Sequence, residues 1–181
     1  MKRIASILLL ILALYPIMQA QEDEKETSVQ TIDKFDNLYH YQHYYIAGQP
    51  SLDALRWLQE QGVLKVINLR ADWENEEFTE SSFNEESEIE KLGMEYLSVP
   101  VEGRSGYSAR KLSKMADFID GNQEVLIHCG GAGRATNFLM AYLVRYKGYT
   151  LDQAVEVGKE LTFFLPLESL LDTDIHMEAQ E

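Results

Sequence analysis

An α/β domain with a mostly parallel small sheet flanked by helices is the fold this sequence predicts, and three observations predict it. Short β-prone runs alternate with helix-patterned segments from Leu52 to about Leu161. Helical segments open on capping residues (Ser51, Ser108, Thr150) and close on glycines (Gly62, Gly93, Gly148). The apolar run Val125-Leu126-Ile127 ends at His128-Cys129, and a glycine-rich loop then leads into a new helix. In parallel sheets ligands bind outside the carboxyl ends of the strands, which is where Cys129 falls.

In chain order, residues 1–20 read as a signal peptide. Lys2 and Arg3 form a basic start, Ile4 to Tyr15 is apolar, and Ala20 offers a small residue for cleavage. The apolar run is too short to cross a bilayer, which takes about 20 residues. The mature chain is therefore expected to be periplasmic or secreted, with no membrane association once the peptide is removed. Residues 21–36 read as a flexible acidic segment, 37–175 as one domain and 176–181 as a tail. Tyr39 to Tyr45 is an aromatic cluster suited to packing against the sheet.

Ser51 caps a helix to Gln61 with Leu52, Leu55 and Leu58 at helical spacing, and Leu64 to Leu69 follows as a strand. The acidic run Asp72 to Glu90 reads as a loop leading into an exposed helix, with its helical part at Asn84 to Leu92. Tyr96 to Val99 is a strand. Ser108 opens a helix to Ile119 with Leu112, Met115, Phe118 and Ile119 inward. Arg134 to Lys147 and Leu151 to about Leu161 complete the pattern.

The net charge of −14 argues against nucleic acid or an anionic membrane as partner. His40, His43 and His176 are too dispersed for a metal site, and nothing indicates a cofactor. A single cysteine cannot form an internal disulfide. In an exported chain an unpaired thiol is a liability unless it has work to do.

That work is readable in the run Cys129-Gly130-Gly131-Ala132-Gly133-Arg134. Glycines let the backbone turn tightly and aim several N–H groups at one spot. The following helix adds partial positive charge there. A cysteine in that field is expected to ionise readily. Arg134 supplies a planar fork of donors for an oxyanion. His128 either assists Cys129 or points to the opposite side of the strand. Arg70, at a strand end, is expected to pair with a carboxylate such as Glu74.

Four segments in order carry a family likeness: Ala47-Gly48-Gln49-Pro50-Ser51, Gly62 through Arg70, Val99-Pro100-Val101, and His128-Cys129 with Arg134. From about Tyr44 to Phe164 the chain resembles the bacterial phosphatase-like domain found fused to beta-lactamase-like hydrolases, a trimmed relative of the dual-specificity tyrosine phosphatases. The resemblance implies a tyrosine-phosphatase-like fold acting on a phosphorylated small molecule or phosphoprotein. It makes Cys129 a nucleophile that forms a phosphocysteine. Gly130, Gly131, Ala132, Gly133 and Arg134 would bind the phosphate. It also points to Glu102, directly after Val99-Pro100-Val101, as the acid that protonates the leaving group, with Asp72 second.

The loop departs from the tyrosine phosphatase pattern. Four residues separate Cys129 from Arg134 where that pattern has five. Ala132 stands where relatives carry glycine, at a strain of order 1 kcal/mol if the position needs positive φ. Ala135 follows Arg134, and the hydroxyl of Thr136 comes one place late. The short loop is also the length typical of rhodanese-type sulfurtransferases, so a persulfide-carrying Cys129 is a rival, and a non-catalytic oxyanion-binding module is a third reading.

Overall fold

A computed structural model describes residues 28–119, 121–162 and 167–173. The signal segment, the acidic run at 22–26, Phe164, His176 and the tail lie outside the described residues. Among the described residues six strands form one sheet: β1 (Gln30–Thr31), β2 (Leu38–Tyr41), β3 (Tyr44–Ala47), β4 (Val63–Asn68), β5 (Glu95–Ser98) and β6 (Glu124–His128). Their spatial order is β1-β2-β3-β6-β4-β5. The pairs β3–β6, β6–β4 and β4–β5 are parallel, and β1 and β2 extend the sheet antiparallel. Within the segment expected to be flexible, Gln30–Thr31 already pair with β2. The Tyr39–Tyr45 cluster does not pad the sheet from outside; it supplies β2 and β3 themselves.

The helices are α1 (Leu52–Glu60), α2 (Asp72–Ser81), α3 (Glu85–Lys91), α4 (Ala109–Phe118), α5 (Gly133–Tyr146), α6 (Leu151–Lys159) and the single turn α7 (Glu168–Leu171). The expected caps form. Ser51 Oγ accepts the Ala54 N–H at 3.1 Å, Ser108 Oγ that of Lys111 at 3.4 Å and Thr150 Oγ1 that of Gln153 at 3.2 Å. Helix α2 lies where a loop was expected.

Alternate residues of β6 face opposite layers, as a strand demands. Val125 and Ile127 join a core with Phe138 and Leu139 of α5 and Leu112 and Met115 of α4. Leu126 joins a second core with Leu55 and Leu58 of α1 and Ile89 of α3. Helices thus cover both faces, and each fully buried Leu or Ile contributes roughly 1.5–3 kcal/mol.

The register fixes what this architecture presents. His128 pairs with Ala47 on one side and Asn68 on the other, and Asn68 pairs with Ser98. Four parallel strands therefore end level, and the segments after Ala47, Asn68, Ser98 and His128 meet at one edge.

Candidate active site

The loop after β6 is pinned to its neighbour strand by the main chain. The Cys129 N–H donates to the Ala47 carbonyl at 3.2 Å, and the Gln49 N–H donates to the Gly130 carbonyl at 3.2 Å. Ala132 sits in the left-handed region at φ 67°, so its methyl carries the strain expected for a non-glycine residue, about 1–2 kcal/mol. It is also the N-cap of α5, whose first amides have no intrahelical acceptor and open toward the loop. Thr136 Oγ1 donates back to the Ala132 carbonyl at 3.1 Å, so this hydroxyl braces the turn.

Cys129 is 1% exposed, at the floor of the loop. Arg134, in the first turn of α5, is turned toward it. Burial would by itself favour the neutral guanidine, but the Glu74 carboxylate, with Cys129 as a lesser contributor, holds the Arg134 pKa above its ordinary value. Arg134 Nη1 donates to Glu74 Oε2 at 2.5 Å and to the Val101 carbonyl at 3.0 Å, and Nη2 donates to Glu74 Oε1 at 2.7 Å. These contacts use three of the five guanidinium N–H groups. The other two, Nε–H and the second Nη2 hydrogen, share one edge of the fork. That edge has the geometry for a two-pronged grip on an oxyanion.

Gly130 makes the clamp possible. A Cβ there would lie 3.3 Å from both Arg134 Nη2 and Glu74 Oε1, tighter than ordinary contact. Gly106 does the same for the facing loop, because a Cβ would lie 3.0–3.2 Å from three atoms of Val101. Gly106→Ala is therefore expected to push the Val101 carbonyl off Arg134. Overpacking of this kind costs about 1–3 kcal/mol of stability, and the displaced guanidinium should weaken binding of a tetrahedral oxyanion such as orthovanadate roughly tenfold. Urea unfolding and a vanadate titration check the two effects.

Glu74 is the residue that sequence reasoning misplaced. It was expected to pair with Arg70, yet its carboxylate goes to Arg134 and to the Ala71 N–H at 2.7 Å. The Arg134 contact holds the Glu74 carboxyl below the ordinary carboxylate range, against the opposing effect of burial. Arg70 instead grips one main-chain and one side-chain oxygen: Nη2 donates to the Glu74 carbonyl at 2.5 Å and Nη1 to Gln49 Oε1. Its guanidinium lies over the Phe78 ring at 5.0 Å.

His128 points away from the loop, into the layer behind it. Burial lowers its pKa, and the nearby Glu85 only partly offsets this. Its Nε2 lies 3.4 Å from Glu85 Oε2 without hydrogen-bonding alignment, leaving both ring nitrogens without a hydrogen-bond partner. Asn68 donates to Glu85 Oε2 at 2.7 Å and to Asn75 Oδ1 at 2.9 Å. Glu102 is exposed, one residue beyond the carbonyl that Arg134 holds. Asp72 is exposed in the first turn of α2. Tyr107 is half-buried beside Phe138, with ring centroids 6.0 Å apart. His40 Nε2 and His43 Nδ1 contact the two oxygens of Glu124 at 3.3 and 3.2 Å.

Comparison with known proteins converges on one group. The family model described as "DSP-PTPase phosphatase fused to NAD+ Kinase" matches residues 19–163. No curated protein matches the chain. Among solved structures, Tk-PTP in its active form is 25% identical with a TM-score of 0.54, covering 65% of this chain and 78% of its own. PTPMT1 is 23% identical with a TM-score of 0.59, covering 72% and 88%. TpbA of P. aeruginosa, solved with phosphotyrosine, is 17% identical with a TM-score of 0.57, covering 75% and 84%.

Proposed function

Because the chain belongs to the DSP-PTPase phosphatase family found fused to NAD+ kinase, we propose that it hydrolyses phosphate monoesters through a phosphocysteine on Cys129. The observation that carries this reading is the Arg134 guanidinium, clamped by Glu74 and Val101 beside the only cysteine and at the start of a 14-residue helix.

The reaction runs in two displacements. The Cys129 thiolate attacks phosphorus, an S–P bond forms, and the P–O bond to the leaving group breaks. Glu102 gives its proton to the departing oxygen. Loop amides and the Nε–H and Nη2–H edge of Arg134 hold the equatorial oxygens, where charge stabilisation and positioning do most of the catalysis. Water then attacks phosphorus and passes a proton to Glu102. The S–P bond breaks, releasing inorganic phosphate and restoring the thiolate. The phosphotyrosine bound by TpbA makes aryl phosphates the first substrates to try. With residues 1–20 removed by export, this chemistry would proceed outside the cytoplasm on a thiol kept reduced.

The test is a side-by-side assay of the reduced mature chain with p-nitrophenyl phosphate and with thiosulfate plus cyanide. Cys129→Ser should abolish turnover of the first while the fold, read by circular dichroism, is retained. Cyanide-dependent sulfur transfer without phosphate release would replace this reading with the sulfurtransferase one. Inertness toward both would leave an oxyanion-binding module.

A further inference from the structure

We infer that Gln49 is a positioning residue that couples the anion loop to the helix holding Arg134 in place; the inference rests on the phosphatase reading for its kinetic consequence only. The motif Ala47-Gly48-Gln49-Pro50-Ser51 takes no part in the chemistry above. Its one long polar side chain lies between two buried charges, Arg70 at 9% exposure and Glu85 at 6%. Glu85 needs a donor and Arg70 needs an acceptor, and a primary amide supplies both. Gln49 Nε2 donates to Glu85 Oε1 at 2.7 Å and to the Pro50 carbonyl at 3.3 Å, and Gln49 Oε1 accepts from Arg70 Nη1.

The consequence reaches Arg134 through α2. No residue of α2 is fully buried. It is held by Arg70 on the Glu74 carbonyl and over the Phe78 ring, by the edge of Phe78 against Phe83, by Asn68 on Asn75 and by the Glu74 clamp itself. Gln49 fixes Arg70, and its own main-chain N–H is fixed to Gly130. One residue therefore ties the loop that receives the anion to the helix that aims the guanidinium.

Two variants test this. Gln49→Leu keeps the size but removes both bonds. Amide exchange across residues 72–81 should then rise about tenfold or more by local opening, and orthovanadate affinity and kcat/KM on p-nitrophenyl phosphate should each fall by roughly tenfold or more. Gln49→Glu keeps an acceptor for Arg70 but sets a second carboxylate against Glu85. Two such groups share a proton at low pH, so its vanadate affinity relative to the parent should recover on acidification. A residue that only supports the fold would lower the unfolding midpoint without that recovery.

Unchanged exchange in α2 together with vanadate affinity within threefold of the parent overturns the inference. If Gln49→Leu does not fold, the pH recovery of Gln49→Glu decides alone. A parent protein inert toward phosphate esters would defeat the phosphatase reading, while the exchange comparison would still judge Gln49.

Discussion

Replacing Arg134 with lysine is expected to lower kcat/KM on p-nitrophenyl phosphate by about 10³-fold or more. A lysine ammonium is a point charge with three donors and cannot grip two oxygens of the anion while also holding Glu74 and the Val101 carbonyl. Loss of a single preorganised donor to a developing oxyanion costs roughly 10²–10³-fold, and here two are lost together. Arg134→Ala should add a stability defect of about 1–3 kcal/mol, because the Glu74 carboxylate is left without its main partner in a half-buried site. Arg134→Lys, which keeps a charge there, should lose less. Steady-state kinetics and urea unfolding on the two variants separate these effects. Activity of Arg134→Lys within threefold of the parent would remove Arg134 from the mechanism.

The second large effect belongs to Glu74. In Glu74→Gln the amide oxygen can still accept from one Nη, but its NH2 then faces the other Nη donor to donor. Arg134 should swing off its seat, with a loss of roughly 10–100-fold in kcat/KM and about 1.5–3 kcal/mol of stability at neutral pH. The pH dependence is a sharper check. The folded-state pKa of Glu74 is depressed, first of all by Arg134. Its contribution is therefore fully present above the ordinary glutamate value and is lost as pH falls through the lower folded value. The stability gap between parent and Glu74→Gln should stay constant around neutrality and close in strong acid. A gap of the same size at both ends of that range would mean the carboxylate charge is not what holds the pair.

How much of this was legible in the residues depends on how local each signal is. Caps, stop glycines and the apolar runs of β4, β5 and β6 are local, and their elements formed within a residue or two of expectation. Helix α2 was not visible because none of its side chains is buried: Asp72-Trp73-Glu74-Asn75-Glu76-Glu77 has no apolar stripe to reveal a period. The hairpin β2–β3 was hidden for the opposite reason. All four residues of β3 are buried, so polar and apolar positions do not alternate there.

The site divides the same way. Cys129, its loop and Arg134 are contiguous and could be read directly. The Glu74 carboxylate stands 60 positions from Arg134 and the Val101 carbonyl 33, and only the level strand ends bring them together. Proximity along the chain suggested Arg70 for Glu74. The sheet gave the carboxylate to Arg134 instead, and Arg70 took the Glu74 carbonyl and the Gln49 side chain.

The strand order has a temporal meaning as well. Of the described strands β6 is the last to be synthesised, yet it lies in the middle, between β3 and β4. Before it inserts, the group β1-β2-β3 and the pair β4–β5 have no strand in common, and the ends of β3 and β4 have nothing to align them with each other. Such long-range parallel pairing is slow, because the intervening chain must be closed first. Cys129, directly after β6, therefore reaches its place by the same event that completes the sheet. Until then the Cys129 thiol, 1% exposed in the finished fold, stands open to solvent and oxidants, so closure of the sheet is also what shelters the sulfur.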